Sequence, residues 1–417
     1  MLRSLTVGIL LLITTTLVHA QTITVTGQLR ERSEFSDKIF LENAHMDAFH
    51  LLRARLGAKA TITDRVNVVV EVQDARFFGG SASTQNIGAS AFDLRQGYVE
   101  VTGCADGYVS FKLGRQVLSY ANERLLGGID WSNFGQSFDA GVLRVHLGDV
   151  RVDAIGAAIA RNPINIDYAR DVFLTGLWGV WTPEGSRNSV NAFWLFDTPA
   201  GSLVRQNRHT AGVVAGGHIG MLDYEIEGAM QFGDHIMVQN EEKHHISANM
   251  IGARVGYRFP DALGLRIGAG IDRLSGSDPE KTDTYGVFNT LYGTNHKFYG
   301  FMDYFTNIPT HTSNLGLMDI IGQVSIVPVK DVVFAVDVHL FSTVTDPVKA
   351  LPTRDPEWSS SIGTEIDVTA KWKLAEVVGM TAGFSMFSAN ADRPVLRAIG
   401  TTTESSTWGY VMTTVNF

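Results

Sequence analysis

The chain has 417 residues, 45% apolar and 18% charged, with 42 Gly, 11 Pro, one Cys and a formal charge of −9. That much apolar material excludes a disordered chain, the lone Cys104 excludes a disulfide scaffold or a cysteine metal site, and the acidic balance speaks against a nucleic-acid partner. Residues 5–18 form the one sustained apolar run, too short for a spanning helix, and abundant Gly with a mean hydropathy of +0.05 suits a large all-β protein with many turns.

In chain order, residues 1–20 read as a secretory signal. Arg3 is a minimal positive start, 5–18 the apolar stretch, and Val18-His19-Ala20 places small residues for cleavage before Gln21. No Cys follows, which speaks against a lipid anchor. Residues 21–417 then form one domain, with a charge of −10 once Arg3 is removed from the −9 total. After residue 20 the pattern has period two. The predicted strands are 22–32, 51–63, 66–78, 92–102, 108–118, 139–147, 150–160, 172–182, 189–197, 210–219, 224–233, 246–259, 265–274, 315–327, 331–341, 362–373, 380–387 and 407–417, eighteen in all.

The connections alternate. Short turns fall at 64–65, 104–107, 148–149, 183–188, 220–223, 260–264, 328–330 and 374–379. Longer polar loops fall at 36–48, 79–91, 119–138, 161–171, 198–209, 234–245, 275–314, 342–361 and 388–406. This predicts an all-β transmembrane antiparallel barrel of 18 strands, with short periplasmic turns and long extracellular loops, in the outer membrane of a Gram-negative-type bacterium. Residues 296–305 also look strand-like. An odd strand count would put the termini on opposite sides, so they are placed inside loop 275–314.

One phase of the strands is apolar: Leu52, Ala54, Leu56, Ala58; Val66, Val68, Val70, Val72; Leu265, Ile267, Ala269, Ile271; Phe334, Val336, Val338, Leu340; Ile362, Ile366, Val368, Trp372. It is predicted to face lipid. The other phase carries the charges. Arg95 and Arg115 fall on the apolar phase, which calls for bulges near Gly97 and Gly114 or a position at the membrane rim. Tyr257, Phe259, Trp178, Trp181, Trp372 and Tyr410 are read as an interfacial belt. The chain ends on Phe417, with Val415 and Val411 on the same face, an ending that resembles the signal read by outer-membrane assembly machinery.

The stretch Leu113-Gly114-Arg115-Gln116 through Glu123-Arg124-Leu125-Leu126-Gly127, then Trp131-Ser132-Asn133-Phe134 and Phe138-Asp139-Ala140, resembles the alginate export porin family of bacterial outer membranes. Gly27-Gln28-Leu29-Arg30-Glu31-Arg32 and Lys297-Phe298-Tyr299-Gly300-Phe301-Met302-Asp303-Tyr304-Phe305 are similar to that family as well. Gln136-Ser137 depart from it, since members often carry a basic residue there. The resemblance implies an eighteen-stranded export barrel.

Ten bases are read on the lumen phase: Arg30, Arg32, Arg53, Arg55, Lys59, Arg144, Arg254, Arg258, Arg266 and Lys371. Eleven acids face them: Glu34, Glu71, Glu100, Asp153, Glu225, Glu227, Asp272, Asp319, Asp337, Glu365 and Asp367. Much of this must be cross-strand pairing. Arg30, Arg32, Arg53 and Arg55 cluster on the first two strands. Together with Arg124 on loop 119–138, which is long enough to fold inward, they are the candidate constriction, because positive charge in a narrow pore selects anions. The His244-His245 and Glu241-Glu242 segment reads as a solvated loop. No catalytic, cofactor or metal motif stands out. The expected function is passive passage of an anionic or polar saccharide, or of a small anionic solute. A general or differently selective small-solute porin is the alternative on the same fold.

Overall fold

The computed structural model describes residues 22–38, 46–79, 92–160, 171–199, 204–350, 359–390 and 405–417. The segment 1–20, expected to be a signal, and parts of loops 36–48, 79–91, 161–171, 198–209, 342–361 and 388–406 lie outside them. Eighteen long strands follow in order: β1 Thr22–Ser36, β2 Asp47–Thr63, β3 Val66–Phe77, β4 Phe92–Cys104, β5 Val109–Gln116, β6 Phe138–Leu147, β7 Val150–Ala160, β8 Val172–Trp181 and β9 Ser189–Asp197. They continue with β10 Val204–Ile219, β11 Leu222–Met237, β12 Glu242–Phe259, β13 Leu265–Leu274, β14 Leu317–Ile326, β15 Val332–Ser342, β16 Ser361–Lys373, β17 Val378–Ala389 and β18 Ser405–Asn416.

Each strand pairs antiparallel with its sequence neighbours, and β18 pairs with β1 from Gln28↔Asn416 to Ser36↔Trp408. The result is a closed 18-strand antiparallel barrel with no free edge, as the strand count predicted. Closure is what hydrocarbon demands, because an unpaired edge amide has no water there to bond. Residues 296–305 are not a wall strand. β13 pairs directly with β14, and loop 275–314 between them holds only a two-residue strand segment, Thr284–Tyr285, and short helical turns.

The predicted facing holds on most strands. Leu56 is 54% exposed on the outer face, as are Val70, Ile267, Phe334 and Val368, while the alternate positions turn inward. Three local differences have identifiable causes. First, Ile362 is 1% exposed and faces inward, because a register shift in the β15–β16 pairing places it on a bulge. Second, Arg95 is the extra residue of a bulge opposite Glu71 and Val72, which turns it inward. Arg115 stays on the outer face at the loop end and pairs with Asp139 at 3.2 Å. Third, Trp178 and Tyr410 of the expected belt are buried inside, whereas Tyr257, Phe259, Trp181 and Trp372 remain on the outer face near the short turns.

The expected loop 234–245 shrinks to residues 238–241, because β11 and β12 keep pairing up to Met237↔Glu242. Polar side chains in water do not disturb a backbone ladder. Gly114 has φ +130°, and a Cβ there would stand 2.3 Å from the Gly97 carbonyl, so the chain approaches itself closely at the start of the family-like stretch.

Candidate functional site

The barrel is not an open tube. Residues 117–137, between β5 and β6, cross its interior. At one wall the loop meets β1 and β2. At the other, Asn122 Nδ2 donates to Glu225 and Glu227 of β11, and Arg124 reaches Asp272 of β13. Residues 275–316 enter as well. Their Phe301 and Met302 amides donate to Asp367 and Glu365 of β16, and Tyr304 Oη bonds Ser406 Oγ of β18. Gly300 has φ +79°, and a Cβ there would lie 2.5 Å from a Glu365 oxygen, so only glycine lets this segment seat on the wall.

The two loops also bind each other. A parallel bridge joins Leu126 and Tyr292, backed by Gly127 N–H to Tyr292 O at 3.1 Å and Thr294 N–H to Glu123 O at 2.9 Å. Leu125, Leu126, Phe288, Phe298, Tyr299, Met302 and Phe305 are buried where the loops meet each other and the walls, giving the barrel the apolar core that a hollow pore lacks.

Arg124 is the pin of this assembly. It is 1% exposed and hydrogen-bonds Glu227 at 2.6 Å, Asp272 at 2.9 and 3.1 Å, and Tyr299 Oη at 2.8 Å, with its guanidinium 3.7 Å from the Phe298 ring centroid. Burial alone would lower its pKa. The Asp272 and Glu227 carboxylates override that and raise it well above the ordinary value. Arg124 therefore lies within the packed interior, not on open pore surface.

The four arginines of β1 and β2 converge on three loop residues. Arg30 donates to the carbonyls of Asp130 and Ser132 at 2.7 and 3.0 Å. Arg32 donates to Trp131 O at 2.7 Å, pairs with Glu34 at 2.7 Å and lies 4.0 Å from the Trp131 ring centroid. Arg53, 0% exposed, donates to Asp130 O, Ser132 O and Gln28 Oε1. Arg55 donates to Gln73 Oε1 and to the Asp130 carboxylate, both at 2.7 Å. Desolvation opposes ionisation of Asp130, but Arg53 and the hydrogen bond from Arg55 outweigh it and hold its carboxyl down at about 2. Trp131 packs edge-on against Trp408 and Tyr410 of β18 and stacks on His296.

The other predicted bases lie elsewhere. Arg144 pairs with Asp153 at 2.8 Å, and Tyr120 Oη donates to the same carboxylate. Arg254, Arg258 and Arg266 share a cavity of about 590 Å³ toward the short-turn end with Arg187, His218 and Asn122. There Arg254 pairs with Asp272 at 2.5 Å and Arg266 with Asp223 at 2.6 Å, while Arg187 and Arg258 make no ion pair among the described residues. Lys371 is exposed at the turn end of β16, apart from both groups. Sequence reasoning did not single out Asp130, although it is the one acid between residues 124 and 138, nor Arg187 at the mouth of the cavity.

A closed 18-strand barrel, apolar outside, charged within and narrowed by inward loops, defines an outer-membrane channel of the porin type. The chain belongs to the alginate export family, whose model matches residues 21–391. No curated protein sequence matches it. Solved barrels share the fold at low identity. Acinetobacter baumannii OccAB1 is 12% identical with a TM-score of 0.61, covering 96% of this chain and 98% of its own. Pseudomonas aeruginosa OpdK with vanillate is 9% identical with a TM-score of 0.60, covering 94% and 98%. OccK8 (OprE) of the same organism is 11% identical with a TM-score of 0.58, covering 95% and 98%.

Proposed function

We propose that this channel passes an acidic or polar saccharide passively across the outer membrane. The observation that carries the reading is the turn-side cavity of about 590 Å³, where Arg187, Arg254, Arg258 and Arg266 outnumber Asp223 and Glu225 and where Arg187 and Arg258 make no ion pair among the described residues. Exposed charges act only over about 8 Å at physiological salt. Cations gathered in one cavity keep an entering carboxylate within that range, whereas the same cations scattered over a surface would not. The path then continues along the lumen wall past Arg144 and the Arg30, Arg32, Arg53 and Arg55 group, with Lys371 at the rim. Arg124 serves it by fixing the loops that narrow it. Delivery through outer-membrane assembly machinery is part of the proposal, with β18, which closes the barrel on β1, as the segment it would read.

The test is reconstitution in planar bilayers. The expected result is anion preference under a salt gradient and block by oligogalacturonates stronger than by neutral maltooligosaccharides. Arg187→Gln with Arg258→Gln should shift selectivity toward cations without harming assembly. Cation preference, or indifference to both sugars, would refute the reading. The many satisfied acid–base pairs of the lumen favour the second reading, a general small-solute porin, which predicts weak selectivity and no saccharide block.

A further inference from the structure

Residues Arg30, Arg53, Arg55 and Arg95 bring four guanidiniums to one patch of the lumen wall. Arg32, next to them, is neutralised by Glu34. The loop supplies the patch with one carboxylate, Asp130, at 2.7 Å from Arg55 and 3.1 Å from Arg53. Its side chain is 62% exposed, so it comes to the arginines from the water side, as a solute would. Glu71 is the other acid that acts on Arg95. The site is also not saturated. Arg55 Nη2 is buried with no hydrogen-bond partner among the described residues. A Cβ placed on Gly135 would lie 2.9 Å from Arg95 Nη2 and 3.1 Å from Arg55 Nη2, so the two guanidiniums flank the same glycine with no side chain between them.

A loop anchor does not need this carboxylate. The peptide carbonyls of Asp130, Trp131 and Ser132 already accept bonds from Arg30, Arg32 and Arg53. We infer that Asp130 is an internal stand-in for an anionic solute: its carboxylate occupies an anion site formed by Arg53, Arg55 and Arg95, and a solute carboxylate must displace it to bind. Asp130 is thereby the residue that sets how strongly the constriction holds an anion. With the carboxylate in place the site carries less net positive charge and a polyanion is released readily. Without it the site would hold anions longer. Conduction needs binding weak enough to leave, and an intramolecular competitor supplies that weakness. The inference deepens the proposed function and rests on the same path.

The experiment compares full-length wild type, Asp130→Asn and Asp130→Glu in planar bilayers. Reversal potential is read under a KCl gradient, and block is read with monomeric galacturonate added on the turn side. Asp130→Asn should move the reversal potential toward that of chloride and lower the blocking concentration roughly tenfold, the scale of one charge-assisted hydrogen bond. Asp130→Glu should stay near wild type. Unchanged selectivity and block in Asp130→Asn would overturn the inference. So would a large rise in conductance without a selectivity change, because Asp130 would then be a loop anchor. A chloride shift with no block by any acidic sugar would leave the anion site standing and remove the saccharide reading instead.

Discussion

Replacing Arg124 by Met removes the cation that ties both inward loops to the far wall. The side chains are similar in length, so packing against Phe298 is largely kept and the change is electrostatic. Two buried carboxylates lose a partner, but not equally. Arg254 still lies 2.5 Å from Asp272, whereas it is 4.0 Å from Glu227. Glu227 is therefore the uncompensated charge, 2% exposed, and Tyr299 loses its hydroxyl contact as well. Breaking a buried pair from one side costs about 3–5 kcal/mol, and the remaining Arg254 places this case near about 3 kcal/mol. That cost falls on the loops, since no wall hydrogen bond is broken. The expected outcome is a folded, heat-modifiable barrel whose loops 117–137 and 275–316 are cut by trypsin, with single-channel conductance raised and noisy. Adding Glu227→Gln should restore much of the quiet state, because the stranded charge is then gone. Wild-type conductance and protease resistance in Arg124→Met would show that the triad does not hold the loops.

Leu56→Arg should destabilise the barrel by about 2–4 kcal/mol in urea titrations from vesicles, because the outward side chain meets hydrocarbon. A larger loss from Arg55→Leu than from Leu56→Arg would contradict the facing. Gly300→Ala should cost at least about 1–2 kcal/mol from its left-handed backbone alone, besides the collision with Glu365, and should expose residues 298–305 to protease with the wall intact. For Asp130 the folded-state pKa of about 2 lies below the ordinary carboxylate value, so its negative charge is fully present in the anion site above about pH 4 and is lost as pH falls through about 2. Chloride preference should rise in that window and be insensitive to pH there in Asp130→Asn.

The wall was legible because its signals are repetitive. Alternation over eighteen segments and the short-turn rhythm define strand number, facing and closure together, and the parity argument correctly kept residues 296–305 out of the wall. Single bulges escape such a pattern. One extra residue turned Ile362 inward, and Gly363 beside it is a mark that in-strand glycines elsewhere in the barrel carry without a bulge. The arginines were legible as a cluster, but their partners were not, because the carbonyls of Asp130–Ser132 are backbone atoms that every residue has. The burial of loop 275–316 was half visible. Five aromatics among residues 298–305 are too many for a solvated loop, yet nothing in the sequence says which barrel surface they meet. The pairing of Arg124 with Glu227 and Asp272, over a hundred residues away, depends on barrel geometry alone.

Trp131 touches both ends of the chain. Its carbonyl is held by Arg32 of the first strand, and its ring packs on Trp408 and Tyr410 of the last. Across the same line Trp408 Nε1 donates to Glu34. The loop that narrows the lumen is thus also a clasp over the one joint that no hairpin makes, between segments nearly the whole chain apart. Widening this channel by excising the loop, as a sensor builder would wish to do, would remove that clasp and leave the β1–β18 joint to its backbone ladder. A wide variant would need a substitute clamp between β1 and β18, set in the wall itself, before the loop could be spared.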